Sequence, residues 1–452
     1  MVPDKFCPIQ ELKTYFFKPK YPKLIYNYIK FQDKNISLEV VKKYKPTAFT
    51  DEKKGVRDRF LNQLGFKLES KMKSFNLYKV PYKFGSSFIN KIKQFITNKF
   101  QKINRFLNYQ EYVSKSLLYL NYKKIRDKYP LDFDYMFETY SFPEEKEAIL
   151  RKFRNYSIKK DNDLWMIKPK LGSLGSKIRL LKDISSINLR NYILTKYLKN
   201  PYLIRGYKND FRFHGLVTSI KPLKLYLYNE GLVRLASEKY NSSISSNQND
   251  FAILTNIFIN KKNKVNYKYP INISNIEDSN LWNLETFQNY CENNNINYNK
   301  MFSEVGDIFI KTMLSVRKKI IGNIEKYKLN YSNFYHLIGF DIIFDENLKP
   351  YLLEANRRCS FRYDNVAEKF YAYNIMADTL NIVGIIPNFK FDYQIKKKDL
   401  KDILEQSLCE LSRPRGGYKL IFPLKNNINK YKKLFGENIP EEDELLWKNL
   451  IE

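Results

Sequence analysis

From residue 338 to residue 356 the chain runs IGFDIIF, then a polar DENLK, then PYLLEAN, two largely apolar segments punctuated by polar side chains. That pattern predicts two strands and a hairpin turn. Residues two apart on a strand share a face, which puts Glu354 and Asn356 together. Pairing Phe344 with Tyr351 across the turn sets Asp341 directly opposite Glu354, so two carboxylates and an amide converge. The same reading predicts strand, small-residue turn and strand in WMIKPKLGSLGSKIRLL from Trp165. A second hairpin is expected from FRFHGLVTS and LKLYLYN, turning at Lys221 and Pro222, with the alternating faces of a half-exposed ribbon. Helical spacing is read near residues 37–43, 88–106, 284–293, 302–326 and 367–382, around Lys115, and in IKKKDLKDILEQSL after Gln394. The polar NSSISSNQND from Asn241 reads as a loop, and no solenoid repeat is found.

With 452 residues, 43% of them hydrophobic, the chain is long enough for two or three domains with a large core. Lys and Arg number 79 against 48 Asp and Glu, a formal +31 that favours a polyanionic partner. Candidate basic clusters are residues 91–102, 123–128 and 395–401. Only His214 and His336 are present, and Cys7, Cys291, Cys359 and Cys409 show no CxxC spacing. A Cys/His zinc site and a disulfide scaffold are therefore not expected, and a reducing compartment is. MVPDKFCPIQELKTYFF has no basic stretch leading into an apolar run, and no segment is apolar for long enough to span a bilayer, so a cytosolic chain is expected.

The chemistry-bearing positions are few. All-oxygen ligands such as Asp341, Glu354 and Asn356 suit Mg²⁺, a cation usually shared with substrate phosphates, which makes a nucleotide site the expectation. Lys168 ends an apolar strand, and Gly172, Ser173 and Gly175 follow it closely enough for backbone amides to approach phosphate oxygens. The spacing is not that of a Walker motif. Asp210 and Arg212 lie two apart, next to Lys208, where an arginine can bridge phosphate and carboxylate. Arg234, Thr255 and Asn256 add polar groups whose convergence the sequence alone leaves open.

Taken in order, these pieces resemble the tubulin tyrosine ligase-like family, ATP-grasp enzymes that ligate amino acids to tubulin. The resemblance covers about residues 102–386. WMIKPKLGSLGSKI resembles the family's phosphate-binding block and YILTKYLKNPYLI its adenine hinge. YKNDFRFHGLVTS, ILTNIFINK and GFDIIFDENLKPYLLEAN resemble three further blocks, the last a metal-binding hairpin. The resemblance implies an α/β (α+β) ATP-grasp fold with a nucleotide cleft between central and C-terminal domains, plus an N-terminal domain. The divisions expected are a basic region of unknown role (1–100), an N-terminal and central ATP-grasp part (101–240), a C-terminal part bearing the metal hairpin (241–390), and a helical tail (391–452). It implies that Lys115 and Lys168 hold phosphates, that Lys196, Tyr197 and Leu198 border adenine, and that Asp341, Glu354 and Asn356 hold Mg²⁺. Lys208, Asp210, Arg212, Arg234, Thr255 and Asn256 would face the γ-phosphate and the amino-acid substrates. Arg212, Asp210, Glu354 and Arg234 are the expected catalytic group.

NRRCSFRYDNVAEKF resembles a glutamylase pattern, with Cys359 in place of a proline, and Arg357 is suited to a glutamate carboxylate. The expectation is an ATP- and Mg²⁺-dependent polyglutamylase that uses free glutamate and acts on the acidic tails of tubulin. It is expected to be a monomer in the cytoplasm, on microtubules and in cilia or axonemes, without nucleic-acid or membrane partners. Glycylation and tyrosination stay open as alternatives. So does a catalytically silent microtubule-binding protein, because Lys177, Thr195 and Ile253 stand where the family has glycine, glutamine and histidine. Charge alone suggests nucleic acid, but no RNA- or DNA-recognition motif accompanies it.

Overall fold

The computed structural model describes residues 46–50, 56–69, 75–80, 86–96, 100–154, 163–170, 178–181, 190–241, 249–270, 273–357, 359, 366–385 and 399–450. Among the described residues it is a mixed α/β structure with three sheets. The first is parallel, with β1 (Thr47–Thr50), β2 (Lys67–Glu69), β3 (Leu77–Lys79) and β4 (Lys102–Ile103) in the order β2-β1-β3-β4. The expected helical pattern at 88–106 ends sooner, in a helix over Ser86–Lys93, and its last residues supply β4 instead. The pattern at 37–43 lies outside the described residues.

The second sheet is antiparallel, in the order β5-β8-β6-β7, from β5 (Thr139–Ser141), β6 (Trp165–Pro169), β7 (Arg179–Leu181) and β8 (Tyr192–Lys196). Its strands divide their residues between two small cores. Trp165, Ile167 and Leu194 pack with Ile149, whereas Met166 and Leu180 pack with Tyr197, Ile253 and Leu254.

The third and largest sheet holds β9 (Leu203–Ile204), β10 (Tyr207–Ile220), β11 (Leu223–Tyr228), β12 (Leu232–Leu235), β13 (Leu281–Asn283), β14 (His336–Phe344), β15 (Pro350–Asn356) and β16 (Tyr418–Phe422). Long β10 organises it. Residues 211–217 pair with β14, while 209–212 pair with β12 and 215–220 with β11. The expected boundary at 240/241 is therefore bridged by the β10–β14 ladder, and the expected helical tail contributes β16, paired with β11. The β10–β11 hairpin forms as read, but it is buried on both faces and does not alternate between core and solvent. Leu225 and Leu227 join the core under the 29-residue helix Tyr298–Lys326, and Tyr226 and Tyr228 join the core under helices Val366–Val383 and Leu400–Ser412. Helices on each side remove the solvent face that alternation presupposes.

Asparagines abundant in the chain start several helices. Asn283 accepts from the Thr286 amide and Asn297 from the Lys300 amide, satisfying backbone donors that have no partner within the first turn.

Candidate functional site

The site grows from four neighbouring strands, β12, β10, β14 and β15. On β10, Lys208, Asp210 and Arg212 share a face; β12 places Arg234 opposite Asp210, and β14 places Asp341 opposite Arg212. Asp341 in turn stands opposite Glu354 on β15, as the alternation predicts. The route to that register differs from the expected one. Phe344 pairs with Pro350 and Ile343 with Tyr351, one step off, and a bulge between Asp341 and Ile342 absorbs the difference. The turn itself is held by Asp345, whose Oδ1 accepts from the amides of Asn347 and Lys349, both at 2.9 Å.

The charged side chains form an alternating chain. Arg234 donates from Nε to Asp210 Oδ1 at 2.6 Å and from Nη2 to Asp210 Oδ2 at 2.7 Å, and the same Nη2 lies 2.9 Å from Asp341 Oδ2. Arg212 grips Asp341 with Nε on Oδ1 and with Nη2 on Oδ2, the latter at 2.9 Å. Side-chain exposures of 8% (Asp210), 11% (Arg234), 4% (Asp341) and 13% (Arg212) make this a desolvated network and not a surface salt bridge. Burial alone would raise the Asp341 carboxyl, but the Arg212 and Arg234 guanidiniums outweigh it and hold it well below the usual carboxylate range. Burial raises Asp210, helped by the Asp341 charge and opposed by Arg234 and by a hydrogen bond from Thr255.

One residue that makes this geometry possible was not singled out from the sequence. Gly339 lies between His214 on β10 and Asn356 on β15, and a Cβ there would stand 2.9 Å from Arg212 Cδ. The arginine crosses the space where a side chain would be. A glycine two residues before Asp341 in an otherwise apolar strand was the available signal.

Three lysines adjoin these groups. Lys115 opens the helix Lys115–Arg126 and lies 3.2 Å from Glu354 Oε2. Lys168 and Lys115 line one crevice with Met136, Phe137, Thr195 and Leu352. Burial lowers the Lys168 ammonium to about 8, against the pull of Glu354. Lys208 is more enclosed: Nζ donates to Tyr197 Oη at 2.7 Å and to the Ile253 carbonyl at 3.0 Å, and burial lowers it to about 7. Because the contact at Ile253 is made by its backbone, an isoleucine there costs this interaction nothing.

The remaining candidates are dispersed around this core. Lys196 ends β8 and pairs with Asp163 at 2.7 Å, and Tyr197 and Leu198 follow it directly. Asn256 caps the short helix Ile257–Asn260, its Oδ1 accepting from the Phe258 amide, so that oxygen is engaged locally. Arg357 lines a separate cavity with Lys79, His336 and Cys359. Gly172, Ser173, Gly175 and Lys177 lie outside the described residues.

Asp341, Glu354 and Asn356 supply the oxygen donors a hard cation takes, on neighbouring strands, with Asn356 Nδ2 bonded to Glu354 Oε1 at 3.2 Å. Among the described residues no cluster of three or more Asp, Glu, His or Cys side chains could hold a metal by itself. The set would suit Mg²⁺ only as an open site completed by water and substrate oxygens, since both Asp341 oxygens are engaged by Arg212 and Arg234.

In this mixed α/β fold four neighbouring strands gather arginines and carboxylates, with lysines beside them. The chain belongs to the tubulin-tyrosine ligase family, whose model matches residues 93–393. It is 28% identical to tubulin polyglutamylase TTLL6 of Homo sapiens over 408 residues, 84% of this chain and 44% of that protein. It is 30% identical to tubulin monoglutamylase TTLL4 of Mus musculus over 64% of this chain and 24% of that protein. A probable beta-tubulin polyglutamylase of Tetrahymena thermophila is 28% identical over 73% of this chain and 30% of its own length. The chain thus spans under half the length of these relatives.

Proposed function

We propose that this protein is an ATP- and Mg²⁺-dependent polyglutamylase that adds free glutamate to glutamate side chains on the acidic tails of tubulin. The observation that carries this reading is Asp341 standing opposite Glu354 in contact with Arg212 and Arg234, with Lys115 on Glu354. The glutamylase names of its relatives support the donor.

In this reading Lys115, Lys168 and Lys208 bind phosphate oxygens, and Tyr197 and Leu198 border the base. Glu354, Asn356 and Asp341 would hold Mg²⁺, which supplies charge neutralisation on the phosphates. An acceptor carboxylate oxygen attacks the γ-phosphorus of ATP, the bond to the β-phosphate oxygen breaks, and ADP leaves. The amino nitrogen of glutamate then attacks the acyl carbon, and inorganic phosphate departs with the C–O bonding electrons as the nitrogen loses a proton. Arg212 and Arg234 face the negative charge that develops, held in place beforehand by Asp341 and Asp210, which is where preorganised cations act most strongly. No histidine is required; both rings are buried and engaged elsewhere, His214 Nδ1 lying 3.2 Å from Cys359 Sγ and His336 Nδ1 2.5 Å from Tyr112 Oη.

The formal +31 favours encounter with an acidic microtubule surface, screened by salt, which supports a location on the microtubule cytoskeleton. The test is mass spectrometry of microtubules incubated with the protein, ATP, Mg²⁺ and isotopically distinct glutamate, glycine and tyrosine. Label from glutamate alone is expected. Label from glycine or tyrosine would reassign the donor, and bound protein without any label would favour a silent microtubule binder.

A further inference from the structure

His336 opens β14 five residues before Asp341, is 1% exposed, and is bonded through both ring nitrogens. Nε2 lies 3.0 Å from the carbonyl oxygen of Arg357, the residue after Asn356. Nδ1 lies 2.5 Å from Tyr112 Oη, and the two rings meet edge to face at 5.6 Å. A carbonyl oxygen can only accept, so Nε2 carries the hydrogen, and with the ring in its neutral form Nδ1 then accepts from the Tyr112 hydroxyl. Burial keeps that phenol protonated and a donor.

The two ends of this chain sit on segments that carry the site. Tyr112 belongs to the short helix Gln110–Val113, three residues before Lys115, and Arg357 follows the last oxygen ligand of the hairpin. Lys115 meets Glu354 at 3.2 Å, so the same two segments are tied twice, once at the site and once behind it. Apolar packing alone could join them, yet a buried imidazole with directional partners fixes position and angle as well.

Resting on the ligase reading above, we propose that the Tyr112–His336–Arg357 carbonyl chain is a positioning device that sets Lys115 against the cation-binding end of the hairpin. Tyr112 and His336 act through other groups and touch neither substrate nor cation.

The test compares the parent protein with Tyr112→Phe, His336→Phe and His336→Gln. The readouts are thermal midpoint, Mn²⁺ affinity in the presence of AMP-PNP by electron paramagnetic resonance, and kcat and KM for glutamate ligation. Tyr112→Phe removes one hydroxyl and is expected to keep the fold, weaken Mn²⁺ by about tenfold and lower kcat by a similar factor, with KM for glutamate unchanged. His336→Gln keeps an acceptor and a donor and is expected to recover part of what His336→Phe loses. If His336→Phe does not fold, Tyr112→Phe decides. Mn²⁺ affinity and kcat within about twofold of the parent in folded Tyr112→Phe would reduce the chain to packing and overturn the proposal. A parent that binds Mn²⁺ with AMP-PNP but ligates no amino acid overturns the polyglutamylase reading alone, and the positioning role is then judged on Mn²⁺ affinity.

Discussion

Replacing Gly339 with alanine tests whether Arg212 works from the position in which it is held. The new Cβ would stand 2.9 Å from Arg212 Cδ and 3.4 Å from Nε. Carbon atoms sit comfortably at about 3.5–4.0 Å, so the arginine must retreat by roughly 0.6–1 Å. Its Nη2 starts 2.9 Å from Asp341 Oδ2, and that retreat takes it beyond a good hydrogen bond. A hydrogen bond to a charged group contributes about 1.5–3 kcal/mol, and a partly kept one leaves a stability loss of about 1–2 kcal/mol. The effect on chemistry is larger, because a misplacement of about 1 Å can cost on the order of a hundredfold in rate. Gly339 has no positive φ, so alanine adds no backbone strain to confuse the result. Differential scanning calorimetry is expected to show a small drop in Tm, and steady-state ligation a fall in kcat of about a hundredfold. A cooperatively folded Gly339→Ala with kcat within about threefold of the parent would refute the role given to Arg212.

Arg234→Met leaves Asp210 and Asp341 facing one another without the guanidinium between them. Urea unfolding at neutral pH is expected to show a loss of about 3–5 kcal/mol, and a loss below about 1 kcal/mol would mean the network is not a desolvated one. Nucleotide binding should depend on pH, because Lys208 is lowered to about 7 and Lys168 to about 8, while phosphate favours the charged ammonium. Both cations are strained by burial below those values, and deprotonation relieves the ligand-free protein as pH rises. Bound nucleotide therefore takes up protons, and affinity falls from pH 7 to 9 by at most about tenfold per unit for each lysine. Titration calorimetry in buffers of different ionisation enthalpy reads this directly, and a flat profile would place both lysines away from phosphate.

The β14–β15 hairpin was legible as two apolar segments about a polar turn, and Asp341 does stand opposite Glu354, but through a bulge that simple alternation does not contain. The pairing nearer the turn was not legible, since a bulge leaves no mark in an alternating pattern. Alternation misled at β10 and β11, where polar residues are buried against partners far along the chain: Lys224 and Thr218 both meet Glu410. Arg234 on Asp210 and β16 on β11 are likewise hidden, because they depend on strand order and not on local propensity. The parallel sheet of residues 47–103 has strands of two to four residues, too short for a periodic signal.

On the function proposed above, Asp341 and Glu354 form one nucleotide and cation site with the lysines. Titration of AMP-PNP into the parent protein and into Glu354→Gln, each with and without Mg²⁺, tests this most directly. The parent should bind more tightly with Mg²⁺ present, and Glu354→Gln should stay folded, keep the Mg²⁺-independent part and lose the gain. Equal enhancement by Mg²⁺ in both proteins would contradict the account.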